Sequence, residues 1–209
     1  MDTERGYLLV VEDIPDILTL LHATLSFKGY RVVTARNGQE ALDAIQRERP
    51  ALVIADILMP KMDGFGLVHR LRINPETRDI PVVFLTATYV APEDKAFAQT
   101  IGVTRFIEKP VDFEQFLPAI EEILAKGPVV PQEPLNELDF YEGYRRRLEQ
   151  KLNHKITQIT RAEHLMETLS EEEKPNFKAS LHQSINERDE IQRLLDQIHE
   201  HLEKITRRE

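Results

Sequence analysis

Four polar or charged punctuations each close a short apolar run: Glu12-Asp13 after "YLLVV", Asp56 after "LVIA", Thr86 after "VVFL" and Lys109-Pro110 after "RFIE". Three of these residues are carboxylates, and three carboxylates in one crevice would raise one another's pKa unless a cation is present. A hard divalent cation with oxygen ligands relieves that repulsion, and the Lys109 ammonium offers a second positive centre. Such a site can turn one carboxylate into a nucleophile toward an anionic group. Asp56 taken alone would be a turn aspartate before Met59-Pro60; its companions make it a reactive carboxylate.

The elements needed to bring them together follow from periodicity. Tyr7–Val11, Arg31–Ala35, Leu52–Ala55, Val82–Thr86 and Arg105–Glu108 read as five short strands, with amphipathic helical patterns between them. The runs are too apolar for strands with one wet face and suit a parallel sheet covered on both sides. Strict β-α repetition implies an α/β, doubly wound five-stranded parallel sheet. With strand order 2-1-3-4-5, sites form beyond the carboxyl ends of the strands, where the first and third strands are neighbours. All four punctuations then share one rim.

Composition narrows the class. The 209 residues contain no cysteine, which excludes disulfides and thiolate metal sites and fits a reducing cytoplasm. The start is acidic, with five consecutive apolar residues, and reads as neither signal peptide nor membrane span. Net charge is −9. Residues 1–127 carry 19 acids against 14 bases, and residues 128–209 carry 17 against 13. Neither part is a basic reader of nucleic acid. Arg145-Arg146-Arg147 is the one local basic cluster, diluted by Glu142 and Glu149.

Past residue 125 the pattern changes. Pro128, Pro131 and Pro134 mark a linker over 126–137, and heptad spacing then fills 138–209. Leu138, Tyr141, Arg145, Leu148, Leu152, Lys155, Ile159, Ala162, Met166 and Leu169 form one seam. Phe177, Leu181, Ser184, Arg188, Ile191, Leu195, Ile198, Leu202 and Ile205 form another. Ser170 and Pro175 break the chain between two helices of similar length, which implies an antiparallel hairpin. A single stripe per helix is marginal alone, so a second copy completing a four-helix bundle is expected, making the chain a homodimer. The plain alternative is a stalk.

The rim residues in order, with Gly102 ahead of Lys109, closely resemble the receiver domain of bacterial two-component response regulators (CheY-like). The resemblance covers residues 7 to about 125, so 1–125 is taken as the receiver. It implies that Asp56 is the phosphoacceptor for a sensor histidine kinase, with Lys109 and Thr86 assisting. It implies Mg2+ held directly by Asp13, Asp56 and the backbone carbonyl of Leu58, with Glu12 acting mainly through water. It further implies that the protein is no enzyme beyond its own phosphorylation and dephosphorylation, and that Thr86 and Phe106 carry the readout. Phe106 also has an ordinary reading as core packing, and the two readings are compatible. Leu58 and Thr88 should flank the path of the hydrolytic water. A phosphatase that uses a second Asp two residues after its nucleophile is excluded, because Leu58 stands there. A histidine phosphotransfer role for the hairpin would need His154 or His164, which lie beside the seam without a kinase-type motif. A DNA-binding output rests on Arg145–Arg147 alone.

Overall fold

A computed structural model describes residues 6–86, 92–127, 133–166, 168 and 174–207. The chain divides into two compact units, Met1–Leu135 and Asn136–Glu209. Ser170, Leu169, Thr88, Pro128 and Pro131, each singled out from the sequence, lie outside the described residues.

In the first unit the strands are β1 (Leu8–Val11), β2 (Val32–Ala35), β3 (Leu52–Asp56), β4 (Val82–Thr86) and β5 (Arg105–Glu108). They form one parallel sheet in the order β2-β1-β3-β4-β5. Between and after them run α1 (Pro15–Phe27), α2 (Gly38–Arg47), α3 (Gly64–Ile73), α4 (Pro92–Thr100) and α5 (Phe113–Lys126). This is the doubly wound sheet that the apolar runs imply. β1 and β3 are buried along their whole length because helices cover both faces.

Alternation sends one set of strand side chains to each face. Leu8, Val10, Leu52, Ile54, Val83 and Leu85 pack with Leu21 and Leu25 of α1 and with Phe116, Ile120 and Ile123 of α5. On the other face Phe84 meets Phe65 of α3, their ring centroids 5.1 Å apart. Local chemistry starts the helices. Asn37 caps α2 by accepting from the Glu40 amide, Asp63 caps α3 by accepting from the Gly66 amide, and Asp112 caps α5 through the Glu114 amide. Each cap leaves the preceding loop at a fixed angle, which is how the strand-end residues are aimed.

The second unit contains α6 (Glu137–Met166) and α7 (Lys174–Thr206), packed on each other. Leu148 and Ile159 of α6 and Leu181, Ile191, Leu195 and Ile198 of α7 are buried within the single chain. Leu152 is half-buried. At its start the α6 stripe departs from the heptad reading. Phe140, Tyr144 and Arg147 are buried, whereas Leu138, Tyr141 and Arg145 are only half-buried. Phe140, whose ring has no hydroxyl to keep solvated, takes the inner place and lies 5.7 Å from the Tyr144 ring, while the Arg147 guanidinium lies 5.6 Å from the Tyr144 ring centroid. Of the polar seam positions, Lys155 reaches across to Glu187 at 2.7 Å. No helix among the described residues is long and apolar enough to cross a membrane.

Candidate functional site

β1 and β3 run parallel in register, with Val11 beside Ala55, so the residues that follow leave the sheet side by side. Glu12 is fully buried there, Asp56 nearly so, and Asp13 half-exposed. One carboxylate oxygen from each lies within 4.8 Å of the other two. The Lys109 ammonium, arriving from the end of β5, donates to Glu12 Oε2 at 2.6 Å and to Asp56 Oδ2 at 2.8 Å. Its position is set from two sides. The Lys109 amide donates to the carbonyl of Thr86, and the Lys109-Pro110 peptide is cis.

The other Asp56 oxygen accepts from the amide of Ile57 at 2.6 Å. Behind it, the Gly64 amide donates to the Ile57 carbonyl at 2.9 Å, so the first residue of α3 backs directly onto the end of β3. The loop between them contains Leu58, half-buried, and Lys61 at φ +66°. Met62 fastens that loop to α2, its carbonyl accepting from the Gly38 amide at 2.9 Å.

The electrostatics follow from burial. Glu12 is pushed above the ordinary carboxylate range by loss of water and by the Asp56 charge, against the pull of Lys109. Asp13 is pushed up for the same first reason, again with Asp56 contributing. Burial alone would lower Lys109, yet its bonds to Asp56 and Glu12 outweigh that and raise it. Three carboxylates against one ammonium leave uncompensated negative charge in a partly dry crevice.

That surplus, together with an all-oxygen donor set, fits a hard divalent cation such as Mg2+. Glu12, Asp13 and Asp56 would hold it. Among the described residues this is the one acidic cluster of that kind.

The remaining sequence candidates fall around this rim. Thr86 ends β4, half-buried, opposite Glu108 of β5. Phe106 pairs in register with Phe84, ring centroids 5.7 Å apart. Gly102 turns the chain into β5 at φ +85°. His154 and His164 are exposed on α6, with His154 Nε2 3.2 Å from Gln158.

Sequence reasoning missed three supporting residues. Gly64 is needed for close approach, Phe97 of α4 stacks on Phe65 at 5.5 Å, and Arg72 is a buried cation on α3. The "MDG" triplet signals the first; a lone arginine and two phenylalanines in helical patterns signal nothing by spacing.

A parallel 2-1-3-4-5 sheet with an acidic crevice and a lysine at its carboxyl rim defines the CheY-like receiver class. The response regulator receiver domain family matches residues 8–121, more than half of the chain, and the chain belongs to that family. An uncharacterized 14.6 kDa protein of Leptolyngbya boryana is 42% identical over 105 residues, covering 50% of this chain and 79% of that protein. The probable transcriptional regulator ycf27 of Porphyra purpurea is 34% identical over 127 residues, 61% of this chain and 51% of its own. The transcriptional regulatory protein GlrR of Escherichia coli is 38% identical over 128 residues, 61% of this chain and 28% of its own. The chain thus spans about half of ycf27 and less of GlrR. Among solved structures, CheY4 of Vibrio cholerae superposes with a TM-score of 0.53 at 32% identity, covering 57% of this chain and 98% of CheY4. The receiver domain of a signal transduction histidine kinase from Syntrophus aciditrophicus gives 0.54 at 33%, covering 62% and 98%.

Proposed function

We propose that this chain is a cytoplasmic two-component response regulator in which Asp56 takes a phosphoryl group from the phosphohistidine of a sensor kinase. The observation that carries this reading is the Lys109 ammonium bridging Glu12 and Asp56 at the rim. An Asp56 carboxylate oxygen forms the new O–P bond as the N–P bond to the donor imidazole breaks, and the imidazole leaves with a proton. Lys109 holds positive charge beside the attacking oxygen and against the developing phosphoryl charge. The Ile57 amide fixes the second Asp56 oxygen, so the carboxylate is oriented before the donor arrives. Mg2+, when bound, supplies the charge that lets two anionic groups approach. Thr86, at the end of the neighbouring strand, is placed to donate its hydroxyl to the new phosphoryl oxygens.

The test is labelling with acetyl phosphate. Asp56→Asn keeps size and removes the nucleophile, so the variant should fold and stay unlabelled; uptake at the wild-type rate would refute the assignment.

For the output we propose a homodimer through the hairpin, favoured by Leu152 and Ile156, one turn apart on α6. Leu152 is half-buried and Ile156 is 44% exposed although the hairpin is closed. Sedimentation of the full chain tests it, and a monomer at tens of micromolar would end it.

A further inference from the structure

Arg72 is an arginine that the acceptor chemistry does not use. It sits near the end of α3 with 3% of its surface exposed, and its Nη2 donates to the carbonyl of Gly102 at 2.7 Å. Among the described residues, its Nε and Nη1 have no hydrogen-bond partner. Asp79, the carboxylate whose charge acts on it, is already paired with Arg49 at 2.7 Å. Burial holds the Arg72 pKa down to about 10, with Asp79 opposing. A buried cation with a single bond is costly, so the place of that bond matters.

Gly102 is the turn between α4 and β5. Its own amide donates back to Gln99, and Val103 donates to Ala98. The next residue joins the sheet through the Thr104 amide on Val82. Phe106 of β5 lies four residues after Gly102, and Lys109 three beyond that. Arg72 therefore grips the segment that leads into both.

The same helix grips it a second time. Phe65 lies seven residues before Arg72, two turns along and on the same face. Its ring stacks on Phe97 of α4 at 5.5 Å and on Phe84 at 5.1 Å. One residue before Phe65, Gly64 rests on the carbonyl of Asp56. So α3 is a strut of about 15 Å at 1.5 Å per residue. One end is seated on the acceptor, and one face holds α4 by a ring and the α4–β5 turn by a guanidinium.

We infer that Arg72 is a positioning residue for the phosphoryl readout: through Gly102 it ties the α4–β5 turn to α3 and holds Phe106 in its resting place. This rests on the acceptor reading of Asp56. Only one donor is used, so one donor is enough. An ammonium on a straight stem can supply it without the two unpaired guanidinium nitrogens.

Amide hydrogen exchange on the full chain tests this without any phosphodonor, and so independently of whether Asp56 is phosphorylated. Arg72→Met keeps an apolar stem and removes the donor. Exchange at Val103 and Thr104 should rise about tenfold, the loss of a charge-assisted hydrogen bond, while β1 and β3 stay protected. Arg72→Lys should restore protection. A rise spread evenly over β1 and β3, no rise at all, or failure of Lys to rescue where Met loosens the turn would each overturn the proposal. Should the Met variant not fold, the Arg72→Lys comparison and the wild type decide it. In the isotope-labelled wild type, the Arg72 guanidinium resonances should shift when beryllofluoride and Mg2+ are added. Unchanged resonances, in a protein whose Phe106 amide does shift, would overturn it. Acetyl phosphate labelling of the wild type reports separately on Asp56.

Discussion

Gly64 rests on the backbone of Asp56. A β-carbon at residue 64 would lie 2.6 Å from the Asp56 carbonyl oxygen and 2.9 Å from the Phe84 ring. Neither neighbour can yield easily: one is backbone in the sheet, the other a core aromatic with no exposure. Gly64→Ala should therefore push α3 off the acceptor strand. Overpacking of this kind costs about 1–3 kcal/mol, read as a lower denaturant midpoint with an unchanged slope. Acetyl phosphate labelling should slow as well. A variant matching the wild type in both would mean that α3 is not seated as tightly as the distances require.

Lys109 is the cation between two carboxylates, so its removal should have opposite effects on the proposed chemistry and on metal binding. Lys109→Met should abolish or severely slow labelling of Asp56. It should also strengthen Mg2+ binding, because the metal then provides the one remaining positive charge beside Glu12 and Asp56. Calorimetric titration checks the second effect. Weaker Mg2+ binding in the variant would show that Lys109 orders the carboxylates more than it competes for them.

The raised pKa values of Glu12 and Asp13 set a pH dependence. In the folded chain both hold their protons to higher pH than they would unfolded, where 4.5 and 3.8 apply. Their contribution to stability is complete below those values and is lost as pH rises through the folded ones. The charged form of each carries a cost in the fold, which a bound Mg2+ would offset. The rise in melting temperature on adding Mg2+ should be larger at neutral pH than in mildly acidic buffer, and Asp13→Asn should shrink the difference. An equal rise at both pH values would detach these carboxylates from metal binding.

Leu58, two residues after the acceptor, cannot orient a water. The phosphorylated chain should accordingly be long-lived, and Leu58→Asn should shorten its lifetime. Decay of labelled protein after donor removal measures this; equal or slower decay in the variant removes the role.

In the hairpin, stability and assembly separate. Ile159, Leu195 and Ile198 are buried inside one chain, so truncation to Ala should cost about 2–5 kcal/mol each by unfolding α6 and α7. Ile156→Asp changes an exposed position and should leave the hairpin helical by circular dichroism while dissociating the dimer. A dimer that survives Ile156→Asp would need a different surface.

The strands were legible because five short apolar runs alternate with helical patterns, and four of them close on a polar or charged residue. That pattern supplied the strands and their shared rim; the strand order and the roles of Glu12, Asp13, Asp56 and Lys109 came with the resemblance to receiver domains. The start of the α6 stripe was not legible. Leu138 and Tyr141 fit the heptad, yet the inward place goes to Phe140, whose ring is wholly apolar, while the adjacent Tyr141 keeps a hydroxyl that favours a half-buried position. Arg72 was hidden for another reason. A charged residue in an amphipathic helix reads as solvated, and only its distance to Gly102 reveals otherwise.

Glu12 and Lys109 are joined across 97 residues of sequence, and they belong to the ends of the first and last strands. Every strand after β3 is laid down at the growing edge of the sheet, so β5 arrives last as the polypeptide is made. A nascent chain released only as far as β4 holds all three carboxylates but not the ammonium between them. It carries the metal-binding charge without the group that stabilises transfer. On the proposed reading, competence to accept a phosphoryl group should arrive in one step, when the final strand docks, so that a half-synthesised chain would not intercept phosphoryl groups meant for finished ones. Ribosome-stalled chains ending before Lys109 should stay unlabelled, and those long enough to expose α5 should be labelled normally.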